Sequence, residues 1–259
     1  MKTFFRIYRD HAFRLTLCNG AYFCLILPLL LLLYICVNAY AGILVGDGSV
    51  ADVLPGLGFF MALFSSGMST GRVWIIISAV LSAILFGPAK FTLFRINICS
   101  YNGSYRFFAD VLAVLRRKLP QVLLIGLLDL LVLGRAISNL CGIFSTGAPQ
   151  LLAVLLRIFS LIVLLFWLSF RRWMYLFSAS CSLRIWPILK NSFLMTVSAL
   201  GKSSQCSAAC ALIWAVVFLT LPIVTVVLLP LCAYALTSLA AVCSLYPFVE
   251  KNVIRPEEE

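Results

Sequence analysis

Six stretches of this chain run for about twenty residues or more with almost nothing but apolar side chains, and no other feature restricts its folding as severely. They cover residues 15–45 (with the run LPLLLLLYICV), 73–94, 120–144, 151–170, 208–229 and 231–248. In hydrocarbon every backbone N–H and C=O must be satisfied within the protein, so runs of this kind cross a membrane as helices. Composition closes off a soluble alternative. Of 259 residues, 63% are hydrophobic and 11% are charged, against roughly 25% charged in ordinary soluble domains. The expected fold is all-α: one integral domain, a polytopic membrane protein with six transmembrane helices. Pro120 suits the first turn of the third span. The segment STGAPQ makes a short hairpin of spans three and four, Gly87 and Pro88 mark a bend in span two, and a turn at Pro230 divides spans five and six.

Orientation follows from where Lys and Arg fall, because short cytoplasmic loops keep positive charge. Lys2, Arg6, Arg9 and Arg14 precede the first span. Lys90, Arg95, Arg106, Arg116, Arg117 and Lys118 fall between spans two and three, and Arg171, Arg172, Arg184, Lys190 and Lys202 between four and five. Residues 46–71, the long loop of the other side, hold Asp47 and Asp52 and no basic residue. Both termini are therefore expected in the cytoplasm, with the chain in the cell membrane. The net charge of +11 is then a topology signal and an attraction to the lipid bilayer, with no nucleic-acid partner expected. Ala39, Tyr40 and Ala41 resemble a signal-peptide cleavage site, but the apolar run before them exceeds the usual 7 to 15 residues, so an uncleaved first span is the better reading.

Two connectors carry helical periodicity. In YRFFADVLAVLRRKL, Phe108, Val111, Leu112, Leu115 and Leu119 share one face and Arg106, Asp110 and Arg117 the other, which predicts an amphipathic cytoplasmic helix. Its basic residues Arg106, Arg116, Arg117 and Lys118 read as contacts to anionic lipid or to a docked partner. A second connector helix is bounded by Pro187 and Gly201, with Leu189, Phe193, Val197 and Leu200 in a stripe. The order span, connector, span thus occurs twice, as in a parallel internal duplication.

Ionisable residues inside a span are costly and are functional candidates by default. Three fall within the runs: Asp129, Arg135 and Arg157. Spans three and four are hairpin neighbours, so Asp129 is expected to pair with Arg157, either as an ion pair that fixes helix register or as part of a substrate or proton site. Arg135 is expected to reach the outer interface. Asn19 and Pro28 in span one read as a helix break or as packing features. An enzyme is not expected. His11 is the one histidine, no GxxxxGK[ST] or HExxH pattern occurs, and the ten cysteines form no CxxC, so no catalytic, metal or cofactor site is assigned.

In the order of these features the chain resembles the YesL family of bacterial membrane proteins, a group of unknown function. The resemblance rests on FRLTLCNGAYFCLILPLL with Asn19 and Pro28, YRFFADVLAVLRRKLPQVLL, LKNSFLMTV with Lys190 and Asn191, and YPFVEKNV. It implies a multispanning protein of Gram-positive-type bacteria, often encoded beside carbohydrate-uptake genes, and it lends no catalytic residues. The loop 46–71 is longer than the family leads one to expect. Two functional classes follow. One is an accessory or regulatory component of carbohydrate uptake, bound to ABC-type sugar transporter components through its cytoplasmic connectors. The other is a small solute transporter or a substrate-capture subunit.

Overall fold

The computed structural model describes residues 2–44, 72–103, 107–140, 150–219 and 228–254. These residues are almost wholly helical, in the order α1 (Lys2–Leu44), α2 (Arg72–Tyr101), α3 (Phe107–Leu140), α4 (Gln150–Ser180), α5 (Ile185–Ser198), α6 (Leu200–Leu219) and α7 (Tyr234–Val249). Wider π-helical turns flank α7 at Leu229–Ala233 and Glu250–Ile254. All but the short α5, counting α7 together with its π-helical flanks, contain a stretch long and apolar enough to cross a membrane, which makes six among the described residues. The chain is thus an all-α, multi-pass membrane protein.

Helices α1 to α4 are longer than the apolar runs that announced them. At 1.5 Å per residue α1 extends about 65 Å, roughly twice the hydrocarbon thickness. The amino-terminal basic segment forms its first turns. Proline ends neither α1 nor α3. Pro28 and Pro120 both sit inside continuous helices, so Pro28 is not a helix break and Pro120 does not open span three. Proline removes one hydrogen bond and crowds the carbonyl four residues earlier, a local cost that neighbouring helices can offset in a membrane bundle.

The first connector is correspondingly not a helix of its own. It is the leading part of α3, and its inward face is turned from the one its periodicity selects: Leu112 and Leu119 of that stripe are exposed, while Leu115 packs on the core together with Val114, which lies outside the stripe. Only the second connector forms a separate element, α5, which ends at Ser198. The two halves of the chain therefore differ in build. The loop 46–71 and most of STGAPQ lie outside the described residues, as does Arg106. Pro230 falls within the π-helical turn that leads into α7.

One end of the bundle gathers the start of α1, the end of α2, the start of α3, the end of α4 and the end of α7. Asn102 reaches Tyr246 at 3.1 Å, and Phe4 and Val253 pack against one cluster. The core is centred there on the last turns of α4, where Trp173, Met174, Tyr175, Leu176 and Phe177 are fully buried. The first half of α4 is the opposite case, with Leu151, Leu155, Phe159 and Ile162 all exposed.

Helices α2 and α3 meet backbone to backbone at Gly87 and Gly126. A Cβ on Gly126 would stand 2.4 Å from the Gly87 Cα, and one on Gly87 would stand 2.3 Å from the Val122 carbonyl oxygen. Small residues at such crossings let membrane helices approach closely without a hydrophobic driving force between them. Lys90 follows Gly87 by one turn and Asp129 follows Gly126 by one turn, so this crossing sets the distance between the two charges.

Candidate functional site

Asp129 is the hub of a polar cluster inside the bundle. Its carboxylate takes contacts from four side chains on two neighbouring helices. Trp167 Nε1 donates to Oδ1 at 2.9 Å. Oδ2 accepts from Tyr175 Oη at 3.1 Å and pairs with Lys90 Nζ at 3.3 Å and Arg171 Nη2 at 2.9 Å. Trp167, Arg171 and Tyr175 are spaced four residues apart on α4, the interval that stacks side chains on one helical face. Lys90 arrives from α2 beneath the glycine crossing, its ammonium 5.0 Å from the ring centres of both Phe86 and Tyr175.

Accessibility divides the cluster. The Asp129 side chain is 0% exposed, whereas Lys90 and Arg171 keep 17% and 14% of theirs. An ionised carboxylate offers about two lone-pair positions on each oxygen; Oδ1 of Asp129 takes one partner, and three converge on Oδ2. Two cations thus face one wholly buried carboxylate, with the cations at the accessible edge. An ion pair serving only to fix register would balance at one to one.

Arg157 does not join this cluster. It is exposed on the first half of α4, and the residue that takes its expected place, Arg171, lies about 21 Å further along the helix axis. The depth match between Asp129 and Arg157 depended on α4 ending at Phe170, whereas the helix continues to Ser180 and brings Arg171 inside the bundle. Arg135 lies on the exposed side of α3 beyond Asp129.

Lys118, read from sequence as a surface contact, is instead half-buried and structural. It donates to the carbonyls of Ser178, at 2.8 Å, and Cys181. Arg95 Nη1 donates to the Ala179 carbonyl at 2.9 Å, and Gln121 Nε2 to that of Leu183 at 3.1 Å. The last carbonyls of a helix lack intrahelical partners and carry its negative pole, so two cations and an amide at the end of α4 satisfy both demands. Arg116 and Arg117, one step to the side, are exposed.

Asn19 is fully buried and clamps the π-helical turn before α7. Its Nδ2 donates to the Leu229 carbonyl at 3.1 Å, and its Oδ1 accepts from the Ala235 N–H at 2.7 Å. Beside it Tyr22 and Tyr234 hold their rings 5.0 Å apart. Asn19 thus supplies the hydrogen bonding that the widened turn forgoes, while Pro28, on the same helix, takes no part.

Sequence reasoning missed Lys90, Trp167, Arg171 and Tyr175 as partners of Asp129. The signal was present as the spacing W-x3-R-x3-Y on α4, hidden because Arg171 had been counted with the loop. Comparison with models of known families, with curated proteins and with solved structures finds no match to the chain.

Proposed function

We propose that the protein is a component of a solute-transport system of the bacterial cell membrane, with both termini cytoplasmic, and that the Lys90–Asp129–Arg171 cluster is its polar site for solute. The observation that carries this reading is the unbalanced cluster itself. Holding two cations against one carboxylate inside a bundle of apolar helices is expensive, and the two cations keep the accessible edge. The basic end of the bundle, rich in Lys and Arg, supports the cytoplasmic orientation. The test is uptake of labelled solutes, neutral sugars and organic anions among them, into proteoliposomes holding the purified chain. Uptake by the wild type that falls at least tenfold in Asp129→Asn at an equal amount of folded, inserted protein bears the proposal out, and uptake equal in wild type, variant and empty vesicles ends it.

A second reading, an accessory component of carbohydrate uptake bound to ABC-type transporter subunits, draws on the YesL-like features and on one surface. Trp186, Phe193 and Leu194 of α5 are exposed at the edge of an apolar groove of about 420 Å³ that Leu128, Trp167 and Phe170 also line, with Lys190 its one charged side chain. A helix presenting this face can seat a partner helix. Photo-crosslinking from position 186 in cells separates the readings: adducts to a permease or ATPase subunit support the accessory role, and adducts to lipid alone remove it.

A further inference from the structure

We infer that the accessible edge of the cluster binds an oxyanion, a phosphate or carboxylate group held between Lys90 and Arg171. This rests on the reading of the cluster as a solute site and names the chemistry that fits it.

The donor and acceptor count decides the class of ligand. Asp129 is out of a ligand's reach because it is wholly buried behind Trp167, Tyr175, Lys90 and Arg171, which engage it. A ligand reaching the cluster therefore meets the cations and not the carboxylate, which disfavours a cation or a ligand that must donate to an acid. The cations have capacity to spare. Arg171 has five N–H donors, of which Nη2 serves Asp129, and its buried Nε has no hydrogen-bond partner among the described residues. Lys90 has three donors, and its contact to Asp129 is the longer of the two.

Charge points the same way. After Asp129 has neutralised one cation, the cluster holds a net positive charge between apolar helices, where an unpaired ion costs several kcal/mol. Arg172, next in the chain, donates to the neutral hydroxyl of Ser207 of α6 and so adds to the positive charge beside the cluster. An oxyanion would cancel the surplus and accept the spare N–H groups together, and guanidinium matches the geometry of phosphate and carboxylate in two-point contacts. A neutral sugar would accept the hydrogen bonds but leave the charge.

Lys90→Gln tests this without emptying the site. It removes the surplus charge and leaves the Asp129–Arg171 pair intact, so the variant is expected to fold with wild-type stability or better and to lose oxyanion binding. The full-length protein is placed in phosphatidylcholine nanodiscs at constant ionic strength, and binding of inorganic phosphate, glucuronate and glucose is read by thermal shift and titration. Phosphate or glucuronate should bind the wild type and Lys90→Arg, bind Lys90→Gln at least tenfold more weakly, and bind Arg157→Gln as they bind the wild type.

Saturable binding by neither anion, or anion binding equal in wild type and Lys90→Gln, overturns the inference. Glucose binding without anion binding overturns it too while the solute-transport reading stands. In a second arm the nanodiscs contain phosphatidylglycerol. If this lipid occupies the site and excludes phosphate, and no solute uptake is found, the oxyanion is a lipid headgroup: the inference then holds and the transport reading falls.

Discussion

Replacing Gly126 with alanine tests the crossing on which the candidate site depends. The new methyl would stand 2.4 Å from the Gly87 Cα and 2.6 Å from its nitrogen, where carbon contacts normally lie at about 3.5–4.0 Å. Both obstructing atoms are backbone, so no rotamer change relieves the overlap, and α2 and α3 must part by about 1 Å or more. Overpacking of this kind costs about 1–3 kcal/mol, and the absence of any side-chain escape argues for the upper half of that range. Alanine recovers up to about 1 kcal/mol through its better helix propensity. The net loss should be about 1–2 kcal/mol, or roughly a tenfold fall in the ratio of folded to unfolded protein, since 1.4 kcal/mol is a factor of ten. Reversible denaturation in mixed micelles measures it. Stability equal to or above wild type would show that α2 and α3 do not touch at these glycines, and the placement of Lys90 against Asp129 would lose its support.

The double variant sharpens that test. Both methyls press on the same crossing, so once one has separated the helices the second meets less resistance. Gly87→Ala with Gly126→Ala should cost less than the sum of the single variants, by an amount approaching one of them, in the range of about 0.5–3 kcal/mol found for residues in direct contact. Strict additivity would place the two strains at different points.

Three further outcomes follow from the geometry. Asn19→Leu leaves the Leu229 carbonyl and the Ala235 N–H without their partner; stability should fall by about 2–4 kcal/mol, from one to three for each orphaned group less some relief by relaxation, and the amide of Ala235 should exchange faster with deuterium. Lys118→Met frees two carbonyls at the end of α4; the expected change is a loss of about 1–3 kcal/mol with raised thiol reactivity at Cys181, and unchanged reactivity would mean that Arg95 and Gln121 suffice. Asp129→Asn leaves two part-buried cations facing an amide and should destabilise by about 2–4 kcal/mol, somewhat less than the loss of a partner from a fully buried pair, whereas Asp129→Asn combined with Lys90→Gln should regain a measurable part of that loss in the same denaturation assay.

Six apolar helices were legible because hydropathy over about twenty residues reports the one requirement that lipid imposes on a span. Their ends were not. Charge ends hydropathy without ending a helix. Lys90, Lys118, Arg171 and Arg172 all lie within long helices, where carboxylate, carbonyl or hydroxyl partners receive them. Asp129 was recognised as a site residue because an acid in a span is rare enough to stand out alone, while its partners were assigned to loops by the same rule that set the orientation.

Helix α3 shows why periodicity selected the wrong face. In a soluble helix the apolar stripe is the buried one, and on that rule Leu112 and Leu119 should pack inward. In a bilayer the surroundings are as apolar as leucine, so burial no longer sorts side chains by hydrophobicity, and inward positions go to small residues that permit close approach and to polar ones that need partners. The buried line of α3 runs through Val122, Ile125, Gly126 and Asp129, with Lys118 half-buried below it, while Leu124, Leu127 and Leu131 face outward. The same inversion holds on α4, where Trp167, Arg171 and Tyr175 turn toward Asp129 and the leucines of the first half face away from the bundle. For a chain of this composition the functional face is found by following the polar and glycine residues at helical intervals, a criterion that puts Asp129, Gly126 and Lys118 on one face of α3 and Trp167, Arg171 and Tyr175 on one face of α4, and the structure turns these two faces toward each other.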